Sequence, residues 1–99
     1  MLVHSVYFWL KENLSDDDRA KFLEGVKTLG AIESITPVFI GEPATTEPRP
    51  IIDRSYDFGL TVVLEDIRSH DEYQTDPIHL QFVEDCGHLW DRVQIYDSE

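Results

Sequence analysis

The sequence predicts an α+β fold whose strands and helices follow the order β-α-β-β-α-β. Three observations predict it: an alternating apolar strand opens the chain, two segments space apolar residues as helices do, and the other apolar stretches are short and rich in β-branched residues. Elements in this order form a four-stranded antiparallel sheet with helices on one face, the ferredoxin-like arrangement. The 99 residues are expected to form one domain, residues 1–99.

The first predicted strand, Leu2 to Leu10, carries large apolar groups on both faces. One face holds Leu2, His4, Val6, Phe8 and Leu10, and the other holds Val3, Ser5, Tyr7 and Trp9. Helices cover one face of such a sheet, so a second copy of the chain is expected to cover the face with Val3, Tyr7 and Trp9 and to form a homodimer. The alternative is a monomer in which these side chains lie at the periphery.

A helix is predicted next, with Ser15 as its N-cap and Gly30 at its C-terminal cap. Three acidic residues complement the positive end of its dipole. Its apolar stripe consists of Phe22, Leu23, Val26 and Leu29. A second strand is predicted at Ile32 to Ile40, bent by Pro37, and a proline-rich loop at Glu42 to Ser55.

The second half of the chain predicts strand, helix and strand. The third strand is predicted at Tyr56 to Leu64 and a short helix at Glu65 to Thr75. Asp76 followed by Pro77 then starts a further helical segment to about Gly87, because Asp accepts from the free N–H groups of a first turn and Pro lacks an N–H that would have no partner there. The last strand is predicted at Trp90 to Tyr96.

The Asp-Pro junction places His79 in a first helical turn. The positions i, i+3, i+4 and i+7 are His79, Phe82, Val83 and Cys86, so the histidine heads the stripe that faces the core. An imidazole with a pKa near ~6.5 suits proton transfer at neutral pH, and a phenol with a pKa near ~10 can donate to an enolate or orient a carbonyl. His79 as base, Tyr73 as donor and His4 on the sheet form the candidate catalytic site. The alternative is that these histidines are bonded within the core and have no ligand.

A candidate ligand pocket lies between the sheet and the helices. Its predicted lining residues are Val6, Phe8, Val26 and Phe82. Histidines that reach an apolar layer from two elements cost free energy unless they are bonded, which is typical of a small-molecule site. The expected ligand is apolar, and aromatic or ketone-bearing. An open cavity of a few hundred Å³ would favour a ligand site, and a filled layer would favour a non-catalytic protein.

Composition disfavours several classes of partner. Lys and Arg total 8 against 20 Asp and Glu, and the net charge of −12 would repel nucleic acid and anionic membranes. No apolar run approaches the ~20 residues that span a bilayer, so a soluble protein is expected, and a single cysteine that can form no internal disulfide favours a cytoplasmic location. Cys86 is the single cysteine and is expected to be a small buried hydrophobic group. His70 and His88 are expected at helix surfaces or ends. The spacing of the histidines and the single cysteine predict no metal, and the scattered glycines form no phosphate-binding loop, so no cofactor is expected.

Four parts of the sequence resemble one family. They are the opening Met1-Leu2-Val3-His4 run, the helix-ending Tyr73, the Asp-Pro-Ile-His-Leu-Gln-Phe-Val block from Asp76 to Val83, and the closing Trp90-x-x-Val93-x-Ile95 pattern. Through them nearly the whole chain resembles the stress-responsive A/B barrel family, often called Dabb. The resemblance implies a ferredoxin-like protomer whose sheet pairs with that of a second copy in a dimeric α/β barrel.

The resemblance also implies a site. Most members of the family have no assigned activity, but it includes a plant polyketide cyclase that uses cofactor-free aldol chemistry in a pocket between sheet and helices. His4, Tyr73 and His79 match three of its pocket residues, whereas Val26 stands where the cyclase has a tyrosine. Two functions stay open: a small-molecule site that binds or catalyses by acid and base, and a non-catalytic homo-oligomeric stress-response or assembly protein with a vestigial pocket.

Overall fold

The computed structural model describes residues 1–35 and 38–99, which are built around a four-stranded antiparallel sheet. The strands are β1 (Leu2–Leu10), β2 (Val38–Gly41), β3 (Phe58–Leu64) and β4 (Trp90–Ser98), in the spatial order β2-β3-β1-β4. The helices are α1 (Asp16–Thr28), α2 (Ile67–Thr75) and α3 (Pro77–Cys86). The predicted ferredoxin-like fold is confirmed, with the second helical segment divided into α2 and α3.

Strand β1 lies inside the sheet and pairs with both β3 and β4. Its register sets His4 opposite Val62 on one side and opposite Asp97 on the other. Alternate residues of β1 are buried, as the sequence predicts, and these are Leu2, His4, Val6, Phe8 and Leu10. Cross-strand partners point to the same face, so β1 determines which residues of β3 and β4 lie beneath the helices.

The helices pack on this buried face around a cluster of aromatic rings. The ring centroids of Phe22 on α1 and Phe8 on β1 lie 5.1 Å apart, and Phe22 stacks on Phe58 of β3 at 5.4 Å. Phe82 of α3 joins the cluster at 5.7 Å from Trp90. Burial of these large apolar side chains is the main term that holds the helices on the sheet.

The start of α1 agrees with the prediction and its end differs. The Ser15 hydroxyl accepts from the Asp18 N–H at 3.1 Å, which confirms the N-cap. The expected cap at Gly30 is wrong, because α1 ends at Thr28, Leu29 is its C-cap, and Gly30 lies within a 3₁₀ turn with a negative φ. The chain continues into this tighter turn, in which the Leu29 side chain is fully buried, and no left-handed residue is needed at Gly30.

Two predicted strand boundaries also differ. Strand β2 begins at Val38 and not at Ile32, and the Pro37 bend lies outside the described residues. Ile32 and Ile35 are buried in the segment that follows the 3₁₀ turn, so the apolar residues there contribute to the core without forming a strand. Strand β3 begins at Phe58, and the Tyr56 ring lies 4.8 Å from that of Tyr7, on the other face of the sheet from the one expected.

The face opposite the helices is aromatic and partly open to solvent. Val3, Tyr7 and Trp9 are partly exposed there, and Tyr96 is 63% exposed. The guanidinium carbon of Arg92 lies 4.2 Å from the centroid of the Trp9 ring, a cation–π contact. We call this surface the open face. Within residues 1–35 and 38–99, no helix has the length and hydropathy needed to cross a membrane.

The contact between α1 and α3 depends on a glycine. A Cβ at Gly25 would lie 2.5 Å from Cys86 Sγ and 3.3 Å from Phe82 Cδ1, so the two helices approach more closely there than an alanine allows. Gly25→Ala should therefore lower the free energy of unfolding by about 1–3 kcal/mol through overpacking, despite the better helix propensity of alanine. Chemical denaturation followed by circular dichroism measures the change.

Gly30→Ala is the matched control for that variant. A Cβ at Gly30 meets no atom of the described chain within 4 Å, and its φ is not positive. This variant should be neutral, or stabilised by at most about 1 kcal/mol. Equal stability of the two alanine variants would contradict the close contact between α1 and α3.

Candidate functional site

The candidate site lies where α2 ends and α3 begins, above the centre of β1. The Asp76 backbone N–H donates to the Tyr73 carbonyl at 3.2 Å and closes α2. The Asp76 carboxylate accepts from the Ile78 N–H at 2.8 Å and caps α3. One residue thus ends one helix and starts the next, which places Tyr73 and His79 side by side as the Asp-Pro junction predicts.

The structure brings the three predicted catalytic residues together. The ring centroids of Tyr73 and His79 lie 4.7 Å apart, and those of Tyr73 and His4 lie 5.7 Å apart. His4 reaches the group from the sheet and is 2% exposed. An imidazole from α3 and a phenol from α2 therefore meet an imidazole from β1 in one layer.

A cavity of about 170 Å³ adjoins these rings. Its lining residues come from the sheet and from the α2–α3 junction: His4, Val6, Phe8, Leu60, Tyr73, Gln74, His79, Phe82, Val83, Trp90, Val93 and Ile95. The predicted lining residues Val6, Phe8 and Phe82 are among them. Val26 is not; it is fully buried in α1. The exposed side chains of Val83 and Ile95 mark the side of the cavity that faces solvent.

His79 is held in its neutral form at neutral pH. Burial lowers the pKa of its imidazole, and nearby His4 and His70 lower it further, while the Gln74 backbone and the Asp76 carboxylate oppose the shift in part. Its Nδ1 atom is buried and has no hydrogen-bond partner of standard geometry among the described residues, although the Gln74 backbone lies close enough to the ring to raise its pKa in part. A neutral imidazole with a free nitrogen can act as a base.

Tyr73 is held in its protonated form. Burial raises the pKa of its phenol to about 12. The group therefore stays a hydrogen-bond donor throughout the physiological pH range and does not serve as a base there. Burial opposes charge on both groups. It therefore favours the deprotonated, neutral imidazole of His79, which can accept a proton, and the protonated, neutral phenol of Tyr73, which can donate a hydrogen bond.

His4 is bonded to a carboxylate that the sequence did not single out. Its Nδ1 lies 2.5 Å from Asp97 Oδ1, directly across the β1–β4 ladder. The predicted last strand ended at Tyr96, but β4 continues to Ser98, so Asp97 falls on the same face as Val93 and Ile95. Continuing the two-residue alternation by one step would have found it.

His70 was expected at a helix surface or end, but it lies beside His4 and Asp97. Its ring centroid lies 5.2 Å from that of His4, and its Nε2 lies 3.8 Å from Asp97 Oδ2. Its other nitrogen, Nδ1, lies 3.2 Å from Asp71 Oδ1. His70 precedes Tyr73 by three residues and therefore shares its helix face, which is the signal that could have placed it inward.

The remaining candidates lie outside the site. Cys86 is buried between α1 and α3, where burial raises the pKa of its thiol, so it behaves as a small apolar group and not as a thiolate. His88 is exposed in the 3₁₀ turn before β4. Neither residue lines the cavity.

Comparisons with solved structures give close fold matches. A Dabb family protein with a ferredoxin-like fold from Mesorhizobium loti is 26% identical, with a TM-score of 0.79 over 99% of this chain and 94% of that chain. A dimeric ferredoxin-like protein of unknown function from Thermobifida fusca is 15% identical, with a TM-score of 0.78 over 98% and 88%. A hydroxynitrile lyase from Passiflora edulis is 13% identical, with a TM-score of 0.78 over 98% and 90%.

Comparison with family models settles membership. No curated protein matches the chain. The family model described as the Stress Responsive A/B Barrel Domain, Dabb, matches residues 2–99. That match spans every strand and helix described above, together with His4, Tyr73 and His79. The chain therefore belongs to the stress-responsive A/B barrel (Dabb) family.

Proposed function

We propose that the cavity binds a small carbonyl compound with an apolar body and that His79 and Tyr73 exchange protons with it, without a cofactor. One observation carries the proposal: His79, whose buried Nδ1 atom has no hydrogen-bond partner among the described residues, lines a mostly apolar cavity, and its ring centroid lies 4.7 Å from that of the buried Tyr73. A buried polar atom without a partner costs about 1–3 kcal/mol. A ligand that bonds to His79 would recover this free energy.

The proposed reaction is of the aldol or polyketide-cyclase type. His79 takes a proton from the carbon beside a carbonyl, and the Tyr73 O–H donates a hydrogen bond to the enolate oxygen that forms. The enolate carbon then bonds to a second carbonyl carbon, whose oxygen receives the proton from His79. The proton returned equals the proton removed, so the cycle needs no oxidant, reductant or external acid.

The volume of the cavity limits the ligand. Engineered apolar cavities of roughly 150 Å³ bind benzene, and the cavity here is about 170 Å³. The space is below the few hundred Å³ typical of sites for larger ligands. It suits a compound with one ring or a short chain better than a long poly-ketone. The fold can carry a lyase site, since one structural neighbour is a hydroxynitrile lyase, but at 13% identity that likeness shows the fold alone.

Exchange of a carbon-bound proton tests the proposed base directly. In D₂O the protein should accelerate deuterium uptake at the methyl group of acetophenone, because His79 removes a proton there and returns a deuteron. His79→Ala should reduce this catalysis by about 10²-fold or more, the usual contribution of a general base. Proton NMR of the methyl signal measures the rate.

Two further variants give that experiment its controls. Tyr73→Phe keeps the ring and removes the donor, so it should slow exchange while leaving the folded state intact. His88→Ala removes an exposed histidine that does not line the cavity and should leave exchange unchanged. Equal exchange rates for the unaltered protein and His79→Ala would reject His79 as the base.

We also propose that the chain forms a homodimer through the open face. The open face includes Val3, Tyr7 and Trp9, and extended aromatic patches are rarely left to solvent by monomers. Sheets of two protomers can pack face to face in a self-complementary contact. The dimeric state of the Thermobifida fusca neighbour is consistent with this arrangement.

A charge on the open face tests the dimer. Tyr96→Glu should convert a species of twice the 11.5 kDa chain mass to one of single mass, because pairing would bury an unpaired carboxylate. Leu80→Glu is the matched control, since Leu80 is 54% exposed on α3 and lies on the helical layer. Light scattering at micromolar concentration reports the mass. A single-chain mass for the unaltered protein would contradict the dimer.

A second candidate function is a non-catalytic homodimer with a role in stress response or assembly. The small size of the cavity favours it, since 170 Å³ is below the few hundred Å³ typical of ligand sites. Both candidate functions include the dimer contact through the open face, and only the first assigns a ligand to the cavity. A dimer that does not accelerate proton exchange, either unaltered or in any of the variants, would support this second candidate.

A further inference from the structure

The structure groups two histidines and a carboxylate beside the cavity. His4 comes from β1, His70 from α2 and Asp97 from β4. One ligand atom from each lies within 4.8 Å of the other two. The three residues lie 66 and 27 positions apart along the chain, which is why their spacing carries no metal-binding motif. We propose that His4, His70 and Asp97 form a site for a divalent transition-metal ion such as Zn²⁺.

The chemistry of the donor set suits that class of ion. Imidazole nitrogens and a carboxylate oxygen are ligands that Zn²⁺ accepts, whereas Mg²⁺ and Ca²⁺ prefer oxygen alone. Three protein ligands leave a coordination position for water or for an oxygen of a small molecule, as in catalytic zinc sites. The proposal concerns the ion alone and does not rest on the proposed function of the cavity.

The positions of the three groups permit binding after a small adjustment. His4 Nδ1 lies 2.5 Å from Asp97 Oδ1, and Asp97 Oδ2 lies 3.8 Å from His70 Nε2. Ligands on one tetrahedral zinc ion lie roughly 3.3 Å apart, given bond lengths of about 2.0–2.1 Å. For the three groups to bind one ion, the distance between His4 and Asp97 must therefore lengthen and the distance between Asp97 and His70 must shorten. Asp97 can make this change because its side chain is 41% exposed near the end of β4.

A second carboxylate, that of Asp71, contacts the ring nitrogen of His70 that faces away from the proposed ion. His70 Nδ1 lies 3.2 Å from Asp71 Oδ1, which leaves Nε2 to face Asp97. Histidines that bind metals usually donate their other N–H to a carboxylate or carbonyl, which fixes the tautomer and makes the ligating nitrogen more basic. The Asp71 contact thus supplies for His70 the partner that a metal ligand needs.

Zinc titration of untagged, EDTA-treated protein tests the proposal. Isothermal titration calorimetry should show one Zn²⁺ per chain, and His70→Gln or Asp97→Asn should weaken binding by about 100-fold or more. Asp71→Asn should weaken it by about 10–100-fold, the range for a residue that orients a ligand. All three side chains are partly or largely exposed, so these variants are expected to fold, which circular dichroism verifies.

Two controls separate this site from its surroundings. His88→Gln should leave zinc affinity unchanged, because His88 is exposed and does not belong to the group of His4, His70 and Asp97. His79→Ala should also retain zinc binding, since His79 is not a member of the trio, although it should lose proton exchange if the proposed function holds. Zinc binding that is absent, or that persists unchanged in both His70→Gln and Asp97→Asn, would overturn the metal site. Asp97 would then act as the hydrogen-bond acceptor of His4 alone.

Discussion

The structure depends on the alternation of side chains in β1, the strand that pairs on both sides. The even-numbered residues of β1 lie under the helices, and the odd-numbered residues lie on the open face. Since a strand has a period of two, a shift of one residue would exchange these sets completely. The same alternation that buries Val6 and Phe8 also buries His4, so the strand that forms the core delivers a polar ring into it. The core and the candidate site are therefore products of one pattern.

Burial then gives the polar groups different chemical states. His4 is bonded to a carboxylate across the sheet, whereas the Nδ1 atom of His79 has no hydrogen-bond partner among the described residues and burial lowers the pKa of its imidazole. Tyr73 is forced to stay protonated by the same loss of solvent. The unfolded chain binds a proton at His79 more readily than the folded chain does, so this residue's contribution to stability is complete above its unfolded pKa and is lost as the pH falls toward its folded pKa. The neutral state proposed for catalysis is thus favoured by folding.

The sequence allowed much of this to be predicted, because local rules decide it. Alternation gave the bounds of β1, and the Asp-Pro pair gave the position of His79. The errors arose where tertiary packing decides. Ile32 and Ile35 are buried in a non-strand segment, and Val26 faces the core and not the cavity. Helix spacing could have placed His70 inward and strand alternation could have placed Asp97 there, but their proximity to His4 across three elements is a tertiary feature that no single spacing reports.

Proton NMR titration of the His79 ring shows whether its imidazole is neutral at neutral pH, as the proposed proton transfer requires. The Cε1–H resonance, assigned with His79→Ala, should shift with a midpoint below the ordinary histidine pKa of ~6.5, because burial disfavours the imidazolium. A ligand in the cavity should perturb the same resonance. A midpoint at or above ~6.5 would show that His79 is solvated or paired with an acid, and would exclude it as the neutral base of the proposed reaction.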